Sequence, residues 1–136
     1  TEEALSTYFF PGAIKTLNHL KDKGFTLAIA TNKPRTKLKL ALDMAKIKNL
    51  FATTRSPEDG LPKPNPNMLI TLLDELMYEP KDALMIGDTI YDMEFAQSAK
   101  VDALAACYGH HSKEQLAAFN PVGFIEDIKD LKKILK

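Results

Sequence analysis

Two carboxylates, Asp88 and Asp92, lie one helical turn apart directly after an apolar run that ends in Gly87. Carboxylate oxygens are the hard ligands that Mg²⁺ prefers, and the glycine allows a close backbone approach. The same spacing also suits a helix N-cap followed by an acid that offsets the helix dipole. The pair therefore indicates either a divalent-cation site or a capped helix start.

Thr31 and Lys63 are two further candidates for chemistry. The Thr31 hydroxyl and the backbone N–H of Asn32 can donate hydrogen bonds to a phosphoryl oxygen, although Thr31 is equally suited to cap the next helix. Lys63 can neutralise phosphoryl charge, with a solvated loop lysine as the alternative interpretation. The flanking prolines in Leu-Pro-Lys-Pro-Asn-Pro, residues 61–66, stiffen the lysine's loop.

The elements that would position these groups alternate between short apolar runs and helical patterns. Strands are predicted at 25–31, 51–54, 83–87, 101–107 and 122–125, and helices at 11–23, 34–46, after 66, 91–99, 113–119 and 127–135. This alternation predicts an α/β fold with a mainly parallel sheet and helices on both faces. Ligands bind beyond the carboxyl ends of such strands, which is where Thr31, Asp88 and Asp92 are expected.

The composition indicates one folded domain and narrows the class of partner. The chain has 136 residues, with 18 basic and 18 acidic side chains, so its net charge is zero. This balance argues against a nucleic-acid partner, and the short apolar runs argue against a membrane partner. One cysteine, Cys107, favours a reducing compartment, and we expect a cytoplasmic location. Thr1 in place of methionine suggests a trimmed chain.

Four motifs in a fixed order resemble the haloacid dehalogenase superfamily, and most closely its phosphoglycolate phosphatase-like branch. They are Phe10-Pro11-Gly12, LAIATNKP at 27–34, LPKPNP at 61–66 and ALMIGDTIYDMEFAQSAK at 83–100. The last motif is the most specific, and the resemblance covers nearly the whole chain. It implies a three-layer, Rossmann-like core with a mainly parallel sheet.

The resemblance also implies a role for each candidate residue. Thr31, Lys63 and Asp88 would be catalytic, and Thr31, Asn32 and Lys63 would bind the phosphate. Asp88 and Asp92 would hold Mg²⁺, directly and through water or neighbouring groups. The expected partner is a small phosphorylated metabolite.

The family's nucleophile is not found in this sequence. Relatives attack phosphate with the first aspartate of a D-x-D motif on a central strand, and none of the ten aspartates here forms that motif. We therefore expect the first strand and most of the cap domain to be absent, with residues 1–10 a cap or linker remnant and 11–136 the hydrolase core. The absent strand would lie between the strands ending at Thr31 and Gly87. Because this strand would be central, we expect the chain either to associate with the missing N-terminal segment or to form a homo-oligomer.

These observations predict a Mg²⁺-dependent phosphatase that hydrolyses a small monoester such as phosphoglycolate through an aspartyl-phosphate. The chain alone is expected to be inactive, because it lacks the nucleophile. Two alternatives stay open: a phosphosugar mutase, and a truncated, non-catalytic relative that serves as a structural or interaction module. A dehalogenase is less favoured, since it would leave the Asp88 and Asp92 pair without a metal to bind.

Overall fold

The computed structural model describes residues 12–135, in which strands and helices alternate. The strands are β1 (Leu27–Ala30), β2 (Phe51–Arg55), β3 (Leu84–Gly87), β4 (Asp102–Ala106) and β5 (Gly123–Ile125). The helices are α1 (Ala13–Asp22), α2 (Arg35–Ala45), α3 (Asn67–Leu76), α4 (Ile90–Ser98), α5 (Lys113–Ala117) and α6 (Leu131–Ile134). The α/β prediction is confirmed. The cap or linker remnant predicted at 1–10 lies outside the described residues.

All strand pairs are parallel, and they form two separate sheets. β1 pairs with β2, and β4 lies between β3 and β5. Within residues 12–135, no ladder of hydrogen bonds joins β1 to β3. This is the position at which the resemblance to the haloacid dehalogenases places an additional strand.

Packing joins the two sheets where hydrogen bonds do not. On one face, a cluster that includes Phe95 and Leu72 contacts Ala28 of β1 and Met85 of β3. On the other face, a second cluster contacts Leu27 and Ile86 of the same two strands. β1 and β3 are thus covered by helices on both faces, as their continuous apolar runs require. Within the described residues, none of the helices is both long enough and apolar enough to span a bilayer.

The C-terminal segment differs from its prediction as one helix over 127–135. It forms a 3₁₀ turn, Ile128–Asp130, before α6 begins. The Asp127 side chain accepts a hydrogen bond from Lys129 N, and Asp130 accepts from the backbone of Asp127. This reciprocal cap closes a tight turn first, which shortens the α-helix.

Candidate active site

The predicted site residues are among the few buried polar side chains of the molecule. The buried polar residues in the described part of the chain are Thr16, Thr31, Ser56, Lys63, Asp88 and Asp92. Burying a polar group costs free energy unless a partner compensates it. Four of the six are the residues that the sequence singled out, so the partners of these four define the site.

Lys63 and Asp92 form a buried ion pair. The Lys63 ammonium donates to Asp92 Oδ1 over 2.6 Å, and both side chains are only 3% exposed. The ring of Phe95, which is fully buried, lies 5.2 Å from the same nitrogen and adds a cation–π contact. The lysine is therefore held by a carboxylate and an aromatic face of the same helix, α4.

The second oxygen of Asp92 caps the start of α4. Asp92 Oδ2 accepts hydrogen bonds from the N–H groups of Asp88 and Thr89, and Thr89 Oγ1 accepts from Asp92 N in return. This is a capping box in which Thr89, and not Asp88, is the N-cap, and Asp92 is the acid in the first turn of the helix. Since both oxygens have protein donors, the geometry favours a role for Asp92 through Lys63. Its predicted role as a metal ligand stays a prediction.

The charge of Asp92 depends on these contacts. Burial raises the pKa of this carboxyl, but the Lys63 ammonium and the hydrogen bonds from Lys63, Thr89 and Asp88 outweigh it and hold the pKa below the ordinary value of 3.8. The carboxylate is thus favoured in the folded state relative to the unfolded chain.

This shift predicts a loss of stability in acid. A carboxyl with a lowered pKa in the folded protein stabilises it fully above the unfolded-state pKa, and this stability disappears as the pH falls through the folded-state value. In EDTA-treated samples, the free energy of unfolding should therefore decrease from pH 6 to pH 3, as measured by urea denaturation. An Asp92→Asn variant should show a smaller decrease. An equal decrease in both proteins would show that other acids cause it.

Asp88 lies at the end of β3 and is fully buried. Its Oδ2 accepts from the backbone N–H of His110 over 3.3 Å, and its backbone carbonyl accepts from His111 N over 3.1 Å. His111 Nδ1 in turn accepts from the N–H of Ile90 in the first turn of α4. Sequence reasoning missed this role of the loop after β4. The feature that could have indicated this role is the position of the loop, which follows the carboxyl end of β4, the strand next to β3.

The donor chemistry of Asp88 suits Mg²⁺. In the described part of the chain, no group of three or more His, Cys, Asp or Glu side chains could enclose a metal ion. Mg²⁺ does not require such a cage, because it commonly takes one or two carboxylates and completes its shell with water and phosphate oxygens. Asp88 fits that arrangement.

Gly109 leaves the space that the Asp88 carboxylate occupies. A Cβ at this glycine would lie 2.1 Å from Asp88 Oδ2. A Gly109→Ala variant should therefore displace Asp88, and if Asp88 holds Mg²⁺, any Mg²⁺-dependent activity of the protein that contains this chain should fall about tenfold or more. Steady-state kinetics at several Mg²⁺ concentrations measure the effect. Gly123→Ala is the control, because its Cβ meets only the end of the Leu104 side chain. Equal activity in both variants would contradict this prediction.

Thr31 and Asn32 follow β1 and connect it to the Lys63 loop. Thr31 N donates to the carbonyl of Arg55, and Thr31 Oγ1 accepts from Lys33 N. Within residues 12–135 the Thr31 hydroxyl donates no hydrogen bond, so its proton can be donated to a ligand. Asn32 Oδ1 accepts from Lys63 N over 2.8 Å, and Asn32 Nδ2 donates to the Lys63 carbonyl over 3.3 Å. The Asn32 side chain therefore fixes the backbone of Lys63. A phosphate contact of Asn32, which stays a prediction, would use its backbone N–H.

Comparisons with known proteins agree with this geometry. The family model for haloacid dehalogenase-like hydrolases matches residues 1–106. The chain is 34% identical over 128 residues to the phosphoglycolate phosphatase of Mannheimia succiniciproducens, covering 93% of this chain and 57% of that protein. It is 30% identical over 123 residues to the pyrophosphatase PpaX of Oceanobacillus iheyensis, covering 90% and 58%.

The fold has close solved counterparts as well. The crystal structure of a predicted phosphoglycolate phosphatase from Haemophilus somnus superposes with a TM-score of 0.87 at 29% identity, covering 93% of this chain and 57% of that one. The chain thus spans less than two thirds of the length of the relatives it matches. With the family model matching most of its length, the chain belongs to the haloacid dehalogenase-like hydrolases.

Proposed function

We propose that the protein containing this chain is a Mg²⁺-dependent phosphatase for a small phosphate monoester, with phosphoglycolate as the first candidate. The observation that carries the proposal is the buried Lys63–Asp92 pair, which bonds through Asp92 to the backbone of Asp88 after β3 and through the backbone of Lys63 to Asn32 after β1. Burying an ammonium ion costs free energy of desolvation. Phosphoryl transfer needs a cation in a fixed position, and this need would account for a buried lysine at the site. The similarity to phosphoglycolate phosphatases supports the choice of substrate.

Each residue has a distinct part in the proposed reaction. The Thr31 hydroxyl and the Asn32 N–H donate to phosphoryl oxygens, and Lys63 neutralises their charge. Asp92 keeps Lys63 charged and in place. Asp88 would hold Mg²⁺, which supplies further neutralisation of the phosphoryl group when bound.

The nucleophile of the proposed reaction is an aspartate outside the ten of this sequence. Asp88 and Asp92 are the only aspartates in the set of buried polar residues, and both are committed to other contacts. We propose that a further segment supplies the attacking aspartate on a strand between β1 and β3, and that the reaction proceeds through an aspartyl-phosphate. The cytoplasm is the proposed location, and the support for it is the single cysteine.

Two other functions have specific support. The 30% identity to a pyrophosphatase favours pyrophosphate as a second candidate substrate. The lack of a D-x-D motif favours a non-catalytic module. A phosphosugar mutase is a further alternative. Residues outside this chain would distinguish it from a phosphatase.

Hydrolysis of p-nitrophenyl phosphate tests the proposal. The rate is measured with and without Mg²⁺ for this chain and for a version extended upstream to include a D-x-D motif. We expect turnover only in the extended protein with Mg²⁺, and phosphoglycolate should then be hydrolysed faster than pyrophosphate. Turnover by this chain alone would refute the proposed nucleophile. No turnover by either protein would support the non-catalytic module.

A further inference from the structure

A cavity of about 430 Å³ lies between α2 and β2. None of the predicted active-site residues lines it. Its volume falls in the range of small-molecule sites, which is about 300–1,000 Å³.

Three of the eight residues that line the cavity are apolar, and two of these three belong to the core. Leu38 and Leu42 lie one helical turn apart on α2, and each is only 4% exposed. Phe51, at the start of β2, packs against the same cluster. The two leucines form a nearly buried floor and Phe51 offers the more exposed apolar surface, and since these side chains are already held in place, ligand binding costs little free energy for reorganising the protein.

The rim of the cavity is positively charged. Lys39 and Lys48 line it, and within residues 12–135 neither forms an ion pair. Residues 35–48 contain five basic side chains and one acidic one, Asp43, in a chain whose net charge is zero. Arg35 also lines the cavity, but its guanidinium is already paired with Asp59. The two lysines are therefore the charges available to a ligand.

The form of β2 argues against an added polypeptide strand as the occupant. Leu27 pairs with Phe51 and Ala28 with Thr53, so the register shifts at Ala52. Such a bulge twists an edge strand and interrupts its row of hydrogen-bonding groups, which protects the edge against further pairing. A small molecule fits the cavity without needing that edge.

We propose that this cavity binds a small organic anion with a compact apolar body, that is, a carboxylate or phosphate on a chain of about six carbons. The apolar body lies on Leu38, Leu42 and Phe51, and the anionic group is neutralised by Lys39 and Lys48. Thr53 and Thr54 also line the cavity, and because the Thr53 hydroxyl already donates to Glu75, the Thr54 hydroxyl is the neutral donor in this proposal. This inference does not depend on the proposed phosphatase function.

The position of the cavity links it to the loop that carries Thr31. One wall, α2, begins four residues after Thr31, and the other wall, β2, ends at Arg55, whose carbonyl accepts from Thr31 N. A ligand between α2 and β2 therefore stabilises the two elements that hold this loop. Bound ligand should raise the melting temperature, and the stabilisation should grow with the logarithm of 1 + L/Kd, where L is the free ligand concentration.

Matched ligands test the proposal on the ¹⁵N-labelled chain. Hexanoate and hexyl phosphate are the two probes with both an apolar body and a charge, hexanol lacks the charge, and acetate lacks the body. Titrations followed by amide chemical shifts should show saturable binding of hexanoate, hexyl phosphate or both, at least about tenfold tighter than hexanol or acetate. The shifts should be centred on α2 and β2. Equal binding of acetate or of hexanol would overturn the proposal.

Charge-removing variants locate the site. Lys39→Met with Lys48→Met should weaken binding of the better probe about tenfold or more, since both ammonium groups are lost. Lys15→Met with Lys133→Met, which changes two exposed lysines elsewhere, should leave binding unchanged. The amide spectra show whether each variant is folded. Unchanged binding in the Lys39 and Lys48 variant, or shifts centred elsewhere, would refute the site.

Discussion

Replacing Asp88 by asparagine should lower the proposed phosphatase activity of the protein that contains this chain by at least about 100-fold, while the protein stays folded. Asparagine has nearly the same shape, and its amide oxygen can still accept from the backbone N–H of His110. It lacks the negative charge with which a carboxylate binds Mg²⁺. The loss should therefore fall on metal-dependent chemistry.

The measurement is kcat over a range of Mg²⁺ concentrations, with thermal unfolding of the same samples in EDTA. The variant should need more Mg²⁺ for any residual activity, and its melting temperature without metal should stay within a few degrees of the parent. Asp102→Asn, which changes an exposed aspartate at the start of β4, is the matched control and should be fully active. Full activity of Asp88→Asn would show that Asp88 serves only as a hydrogen-bond acceptor.

The local sequence was sufficient to predict most of the fold. The run at 83–87 is apolar on both sides of the strand, and it forms β3 because both faces of the sheet are covered by helices. The C-terminal helix is present, but its first turn is 3₁₀ because the capping contacts of Asp127 and Asp130 compete with the α-helical pattern. A side chain that forms a hydrogen bond with a nearby backbone group can change the type or the length of a helix, although the apolar periodicity of the sequence stays the same.

The site was predictable in its members but not in its contacts. The motifs single out Thr31, Lys63, Asp88 and Asp92, and all four are buried. The contacts between them join residues distant in the chain: Asn32 to Lys63 at a separation of 31, and Lys63 to Asp92 at 29. Periodicity reports only local structure, so it could not show that the Asn32 side chain holds the backbone of Lys63.

Replacing Lys63 by methionine should lower activity about 100-fold or more and also destabilise the protein by about 3 kcal/mol. The activity falls because the ammonium that would neutralise the phosphoryl group together with Mg²⁺ is lost. The stability falls because Asp92, which keeps its two backbone donors, loses the ammonium that compensates its buried charge. Lys81→Met is the matched control, since this lysine is exposed and should tolerate the change in both measurements.

A double-mutant cycle separates the charge pair from simple packing. Asp92→Asn alone leaves the Lys63 ammonium buried without its carboxylate, whereas Lys63→Met with Asp92→Asn leaves two neutral side chains, and an amide oxygen can still cap α4. The free energy lost in the double variant should therefore be smaller than the sum of the two single losses, by about 1–3 kcal/mol. Urea unfolding of the four proteins at pH 7 measures this coupling. Additive losses would show that the ion pair contributes no coupling, and the activity loss in Lys63→Met would then have to come from the missing cation alone.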